Sequence, residues 1–410
     1  MHILIVSQYF YPELFRINDL AKEFHSRGHK VTVLTGIPNY PKGYYYEGYG
    51  VFKNNREFYG GIEIFRSPLI PRGSGSPIRL ALNYISFIAG SIFTSFFLLK
   101  KKFDIIFVFE PSPITVCLPA IFIKKIKNIP ICFWVLDLWP ESVVSAGNLK
   151  IGFISKLINP IVKFIYKHSD KILVPSKGFI SSITKKGVNK NKIVFFPQWA
   201  ESIFKPIKYD RYLLDSIPKN SFKVMFAGNI GEAQDFPSII EAAKLLKNNE
   251  NIQWVILGSG RKENWVKSKI NEYNLEEKFH LMGSHPIEMM PAFYSQADCL
   301  LFSLKKDYIF SITIPAKVQT YLACAKPVVA MIDGEAAKVI NDANAGISCP
   351  SESPIELAKN IEILSLLDKH KLDMLGQNAL THYKKEFDRS MLMDKIENIF
   401  YKMKKQQAYK

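Results

Sequence analysis

An α/β protein built from two similar halves is what this sequence predicts, and three observations predict it. Continuous apolar runs that read as buried strands alternate with amphipathic helical segments. The same alternation starts afresh after residue 220, and the stretch between the two series, "FFPQWAESIFKPIKYD" (195–210), carries prolines and aromatics in place of a periodic pattern. Buried strands alternating with helices imply a parallel sheet covered on both faces. Two such halves imply a cleft, with ligands at the carboxyl ends of the strands. The length of 410 residues also exceeds what one core commonly fills. We place the first domain at residues 1–200, the second at 201–385 and a terminal helical segment at 386–410.

The elements follow in order. "HILIVSQYF" (2–10) is an apolar strand that ends in aromatics, and "INDLAKEFHSRGH" (17–29) repeats Ile17, Leu20, Ala21 and Phe24 at helical spacing until Gly28 stops it. "KVTVLT" (30–35) is the next strand, so the chain opens on a βαβ unit. Further strands are "FDIIFVF" (103–109), "IPICFWVL" (129–136) and "DKILVPS" (170–176). In the second series "FKVMFAGNIG" (222–231) and "IQWVILGSG" (252–260) both run into glycine turns, on either side of the amphipathic "DFPSIIEAAKLLKN". "DCLLFSL" (298–304) and "KPVVAMI" (326–332) complete it.

Charge and composition narrow the function. A formal charge of +17 draws the chain to something anionic: nucleic acid, a membrane surface or a phosphorylated substrate. Nucleic acid would ask for a basic stripe interleaved with aromatics on one element, which the two strand-turn-helix series do not supply. The five cysteines sit singly among apolar neighbours, as buried thiols of a reducing compartment do, and the first ten residues read as a strand of a cytoplasmic protein. Residues 81–99, "ALNYISFIAGSIFTSFFLL", are uncharged and long enough to span a bilayer. Asn83, Ser86, Thr94 and Ser95 fall roughly on one side of that helix, and a strand follows directly. A crossover helix of the first domain, touching a bilayer, is therefore expected in preference to a span.

The chemistry concentrates at strand ends. The turns "AGNIG" and "LGSG" let main-chain amides approach a diphosphate. No G-x-x-x-x-G-K-[ST] is present, no G-x-G-x-x-G opens the first βα turn, and no paired-histidine spacing suggests a metal. "IPAKVQTYLACAKPVVA" (314–330) reads as a loop, a short helix and a buried strand. A helix start carries unpaired N–H groups and partial positive charge, and Lys317 reinforces it as a seat for phosphate.

Together, "YFYPELFRINDL" (9–20), "RGHKVTVLTGIPNYPKGYYYEGYG" (27–50), "VLDLWPES" (135–142), "FFPQW" (195–199), "AGNIGEAQDF" (227–236) and "IPAKVQTYLACAKPVVA" resemble the family-4 retaining glycosyltransferases. Within that family the likeness is greatest to the fucosamine and colanic-acid branch of bacterial surface polysaccharide assembly. The resemblance implies the glycosyltransferase-B fold, two Rossmann-like domains facing across a cleft, with the final helix (386–404) crossing back to the first. It also implies a nucleotide-sugar donor, UDP-linked, held without a metal on the second domain. The donor residues would be Gly228, Asn229, Gly231, Gln234, Arg261, Ile314, Lys317 and Thr320, with Lys317 and the amides of Ile230 and Gly231 on the phosphates. In the first domain Asp137 would face the donor sugar and Glu13 is the second catalytic carboxylate. Arg16 and Glu141 would meet the acceptor, a polyprenyl-diphosphate-linked saccharide at the inner leaflet. For these carboxylates the competing reading is a helix cap or a surface ion pair.

The chain departs from the family pattern at four positions. Many relatives carry two glutamates where this sequence has Ile312 and Thr320, and an arginine and a lysine where it has Asn229 and Gln234. Thr320 retains a hydroxyl; Ile312 offers nothing polar. A scaffold that binds nucleotide sugar without turnover is the alternative these departures raise.

Overall fold

The computed structural model describes residues 1–143, 151–209, 211–215 and 217–408; Asp210, at the end of the expected linker, lies outside them. The chain divides into two compact units. One comprises Met1–Pro175, Phe179–Phe196 and Met393–Lys410, the other Ser176–Gly178 and Pro197–Leu392.

In the first unit the order is β1 (His2–Val6), α1 (Arg16–Ser26), β2 (Lys30–Gly36), β3 (Arg56–Tyr59), β4 (Ile62–Ser67), α2 (Pro77–Leu98), β5 (Ile105–Glu110), α3 (Cys117–Lys127), β6 (Ile131–Val135), α4 (Ile151–His168), β7 (Lys171–Val174), α5 (Gly178–Lys185) and β8 (Ile193–Phe195). The eight strands lie in the order β3-β4-β2-β1-β5-β6-β7-β8, parallel throughout except that β3 runs antiparallel to β4. The side chains of the central strands β1, β5 and β6 are buried on both faces, Ile3, Leu4, Ile5 and Val6 completely, which is why these strands read as unbroken apolar runs. The chain leaves β1 on one side for β2 and returns on its other side with β5. The carboxyl ends of β1 and β5 therefore flank a switch point.

The β3–β4 hairpin goes beyond the strands read from the sequence. "FYGGIEI" folds it through Gly60 and Gly61, with φ of 54° and 83°, a two-residue turn that only residues tolerating positive φ accept easily.

Helix α2 is the crossover that joins β4 to β5, and it packs against β4 and β2. The helix is long and apolar enough to cross a membrane, but it has the crossover placement expected of it, with polar residues on its inner side. Asn83 accepts from Gln8 Nε2 (2.7 Å) and donates to Ile70 O (2.6 Å), while Ser91, Thr94 and Ser95 bond to carbonyls one turn back. A Cβ on Gly90 would collide with Pro68 O, so the helix can approach the β4 exit only with glycine there.

The second unit contains β9 (Phe222–Ala227), α6 (Phe236–Leu245), β10 (Ile252–Leu257), α7 (Glu263–Tyr273), β11 (Phe279–Gly283), α8 (Met290–Ser295), β12 (Cys299–Ser303), α9 (Tyr308–Ile312), α10 (Ala316–Ala323), β13 (Val328–Met331), α11 (Glu335–Asp342), β14 (Gly346–Cys349), α12 (Pro354–Ser365) and α13 (Lys369–Glu386). Its six strands are all parallel, in the order β11-β10-β9-β12-β13-β14, with the switch point between β9 and β12. Phe226, Phe236, Trp254 and Ile256 lie in its core.

The last helix, α14 (Arg389–Ala408), begins three residues later than the sequence suggests. Its Phe400 ring lies 5.5 Å from Phe24 and 5.6 Å from Phe107, and Glu397 bonds His29 (2.6 Å) and Arg27 (2.6 Å). All five cysteines are buried and unpaired.

Candidate active site

The second unit gathers most of the expected donor residues where β9 and β10 end. Gly228, with φ of 141°, donates its N–H to Leu257 O (2.8 Å), and a Cβ there would strike Lys317 Nζ. Gly258, with φ of 134°, is pressed against Gly228 O in the same way. The two glycine turns thus stack main chain on main chain, and the absence of side chains is what lets them do so. A Cβ on Gly231 would meet Asn229 and Gln234, whose amides approach each other at 3.4 Å. One expectation needs correction. The Ile230 N–H donates to Ser259 O (2.9 Å) and is not free for phosphate, whereas Gly231 N–H has no acceptor among the described residues.

Lys317 is the central cation of this unit. It sits in the first turn of α10, behind the N-cap Pro315. Its Nζ lies 4.4 Å from the centre of the Phe226 ring, and burial lowers its pKa to about 8. No carboxylate among the described residues pairs with it. Val318 N–H donates to Pro315 O (3.0 Å), which leaves the amides of Ala316 and Lys317 as the free donors of the α10 start among the described residues, so positive charge and donors converge beside the Gly228 turn. Nearby cations are neutralised: Lys262 (2.7 Å) and Lys305 both bond Glu232. Arg261 is exposed at the turn after β10. Ile314 is buried, and Thr320, also buried, donates its hydroxyl proton to Ala316 O (3.1 Å), leaving only oxygen lone pairs for a ligand.

The first unit concentrates carboxylates at the ends of β5 and β6. Asp137 accepts from Trp139 Nε1 (3.0 Å) and its own N–H donates to Glu110 Oε2 (3.2 Å). Burial raises the Asp137 pKa against opposing hydrogen bonds from Ser142, Trp139 and Ser112. Glu110 is wholly buried, its Oε1 has no partner, and burial with the neighbouring Asp137 charge pushes its pKa well up. Sequence reading stopped one residue short of Glu110, at the end of "FDIIFVF", although a carboxylate closing an apolar strand is itself a signal.

Glu13 is held by the main chain. Its Oε1 accepts from Asn39 N (2.8 Å) and Tyr40 N (2.7 Å), and its Oε2 from Phe10 N (3.3 Å). The carboxylate ties the β1 exit loop to the β2 exit loop. It is neither a helix cap nor a surface ion pair. Burial raises its pKa to about 7. Glu141 bonds Lys186 and Ser182 Oγ (2.6 Å), which takes its charge away from an acceptor. Arg16 opens α1 next to Phe15, whose ring stacks on Tyr9 at 4.9 Å.

Arg72, which sequence reading missed, lies beside these rings. Its guanidinium is 4.8 Å from the Tyr40 ring centre and donates to Tyr9 Oη (3.3 Å), with no carboxylate partner among the described residues. Among the described residues no three His, Cys, Asp or Glu side chains form a metal-ligand group.

Comparison with known proteins decides the family. The sequence matches Glycosyltransferase Family 4 over residues 16–199 and Glycosyl transferases group 1 over residues 215–382. The chain belongs to the glycosyltransferases. It is 26% identical to the putative colanic acid biosynthesis glycosyl transferase WcaI of Escherichia coli, over 79% of this chain and 81% of that one. It is 27% identical to the probable glycosyltransferase WbjE of Pseudomonas aeruginosa, over 62% of this chain and 65% of that protein, just under two thirds of its length. The fold is that of Anabaena HepE, solved with UDP and glucose, at a TM-score of 0.67, 15% identity and coverage of 98% of this chain and all of that one. The glycosyltransferase therefore has the glycosyltransferase-B fold.

Proposed function

We propose that this glycosyltransferase is a retaining hexosyltransferase. It moves a sugar, an N-acetylated amino sugar such as N-acetyl-L-fucosamine, from a UDP-sugar to a polyprenyl-diphosphate-linked saccharide in O-antigen or capsule assembly, working at the cytoplasmic face of the inner membrane. The observation that carries the donor side is Lys317: a half-buried ammonium with no carboxylate partner among the described residues, next to a glycine turn and a helix start, calls for an anion. The name of WcaI, a putative colanic acid biosynthesis glycosyl transferase, and the UDP held by HepE support the substrate classes.

In this reading the diphosphate lies on Lys317, Gly231 N–H and the first amides of α10. The acceptor hydroxyl attacks the anomeric carbon from the side of the leaving group, the bond to the diphosphate oxygen breaks, and the hydroxyl proton passes to that oxygen. Lys317 offsets the negative charge that builds on the leaving UDP. Asp137 orients the sugar or stabilises positive charge on the anomeric carbon. Arg72, unneutralised beside Tyr9 and Tyr40, meets the acceptor's diphosphate. No metal is required in this reading, because the cationic side chain and amides supply the charge.

Thermal unfolding against UDP, GDP, ADP and TDP tests the donor. Nucleotide at a hundred times its Kd adds roughly 2.7 kcal/mol to the folded state. Selective stabilisation by UDP is expected. No shift with any nucleotide would overturn the assignment, and UDP binding without transfer or donor hydrolysis would leave a scaffold.

A further inference from the structure

We infer that the outer face of α2, α3 and α4 is a docking surface for an anionic phospholipid bilayer, with the outer stripe of α2 seated at the boundary between headgroups and acyl chains. The inference deepens the lipid-linked acceptor reading by naming where the chain would meet the lipid, and it stands on different residues.

The pattern on α2 is inverted relative to a soluble crossover helix. Its inward side holds Phe87 and Leu98 but otherwise Asn83, Gly90, Ser91, Thr94 and Ser95, while Ile78, Leu82, Ile85, Phe93 and Phe96 recur at helical spacing on the outside. Ile85 is 63% exposed, Phe93 64% and Phe97 59%. A helix that needed only to cover the sheet would place these side chains inward. The stripe continues onto its neighbours. The Phe96 ring lies 5.5 Å from Phe122 of α3, Ile126 follows one turn later, and Lys125 Nζ stands 5.5 Å from the ring of Phe164 on α4. Leu157, Ile161 and Phe164 expose the outer side of α4.

Charge identifies the occupant. The sequences of α2, α3 and α4 contain no aspartate or glutamate. Exposed Lys125, Lys156, Lys163 and Lys167 lie among the apolar residues, and Lys100 and Lys102 follow α2. An apolar strip bordered only by cations is complementary to an anionic lipid surface, where burial of apolar area and electrostatic attraction add. It binds in the plane, not across, because the inner side of α2 is bonded to Gln8 and to the β4 exit.

Flotation of the full chain with vesicles of phosphatidylethanolamine and phosphatidylglycerol, against vesicles of phosphatidylcholine alone, tests this. The wild type should float with the anionic vesicles and be released by high salt or carbonate. The exposed-residue variant Ile85→Ser/Phe93→Ser should bind them at least about tenfold more weakly, and Lys125→Gln/Lys163→Gln/Lys167→Gln should lose the preference for anionic lipid. The UDP-induced thermal shift, measured alongside, reports the donor site separately. Wild type that stays soluble with anionic vesicles overturns the docking surface while a retained UDP shift leaves the glycosyltransferase reading intact. A dimer in light scattering that the Ile85→Ser/Phe93→Ser variant dissolves would instead assign the stripe to a second copy and also overturn it.

Discussion

Lys317 Nζ stands 4.4 Å from the centre of the Phe226 ring, and the ring face is its nearest compensation. A cation–π contact offsets part of the desolvation of an ammonium but not all of it. The free protein therefore carries a cost that a diphosphate would remove. Lys317→Met should raise the stability of the ligand-free protein by about 1–3 kcal/mol at neutral pH, since a pKa lowered to about 8 means the charged form is disfavoured in the fold. UDP affinity should fall at least about tenfold. The sign with pH follows: the folded-state pKa lies below the unfolded one, so this cost is fully present below pH 8 and disappears as pH rises through the unfolded value near 10.4. Calorimetry of both proteins across that range checks it, and a variant less stable than wild type at pH 7 refutes it.

Gly228 and Gly258 separate the ligand from the scaffold. A Cβ on Gly228 meets the end of the flexible Lys317 side chain, whereas a Cβ on Gly258 meets the main-chain carbonyl of Gly228. Both positions have positive φ, so each alanine carries backbone strain of roughly 1–2 kcal/mol. Gly228→Ala should fold, displace Lys317 and weaken nucleotide binding. Gly258→Ala should lower the melting temperature further, because nothing flexible can move aside. Equal melting temperatures would show that the two turns are not stacked as described.

These glycines show why some of the site was legible in the sequence. Gly228, Asn229, Gly231, Gln234 and Lys317 are held by local turns and a helix start, whose chemistry is written in short stretches of chain. Their mutual approach is what the structure shows. The resemblance to family 4 supplied the order of the landmarks. The bonding of Glu13 and Ile230 was hidden for the opposite reason. Their partners, Asn39, Tyr40 and Ser259, are remote in sequence, and spacing cannot reveal that a strand-end carboxylate or amide is already bonded. Arg72 was invisible on the same ground, since its place against Tyr9 and Tyr40, with no carboxylate partner among the described residues, is a tertiary fact. The β3–β4 hairpin was within reach, because "GG" between alternating residues is a local signal.

Glu13 predicts a stability change with pH. Its folded-state pKa of about 7 lies above the unfolded value, so the protonated form is favoured in the fold. The stabilisation is complete below about pH 4.3 and is lost as pH rises to about 7, up to about 3 kcal/mol in all. Glu13→Gln keeps an acceptor for Asn39 and Tyr40 and does not titrate. Its stability relative to wild type should therefore grow between pH 5 and 7. A difference constant over that interval in urea unfolding would mean that the three main-chain donors hold Glu13 ionised.

Asp137 and Glu110 are joined through the Asp137 N–H, and their burial sets them unequal tasks. Glu110 is completely buried and lies beside a second carboxyl, both of which push its pKa well up, and it serves to fix the Asp137 main chain. Asp137 is only partly buried and accepts from Trp139 Nε1, so it is the member able to present negative charge to a sugar. Asp137→Asn should lower kcat about a hundredfold with the donor KM little changed, because the lost charge matters most when the anomeric carbon is positive. Wild-type kcat should fall on the acid side as Asp137 takes up its proton, at a pH above that of an ordinary aspartate. The variant should lack that acid limb. Glu110→Ala, which removes the support and not the charge, should disturb kcat and stability together, whereas Asp137→Asn should leave the melting temperature nearly unchanged. If Asp137→Asn retains wild-type kcat and the same acid limb, the charge that meets the sugar lies elsewhere in the first unit.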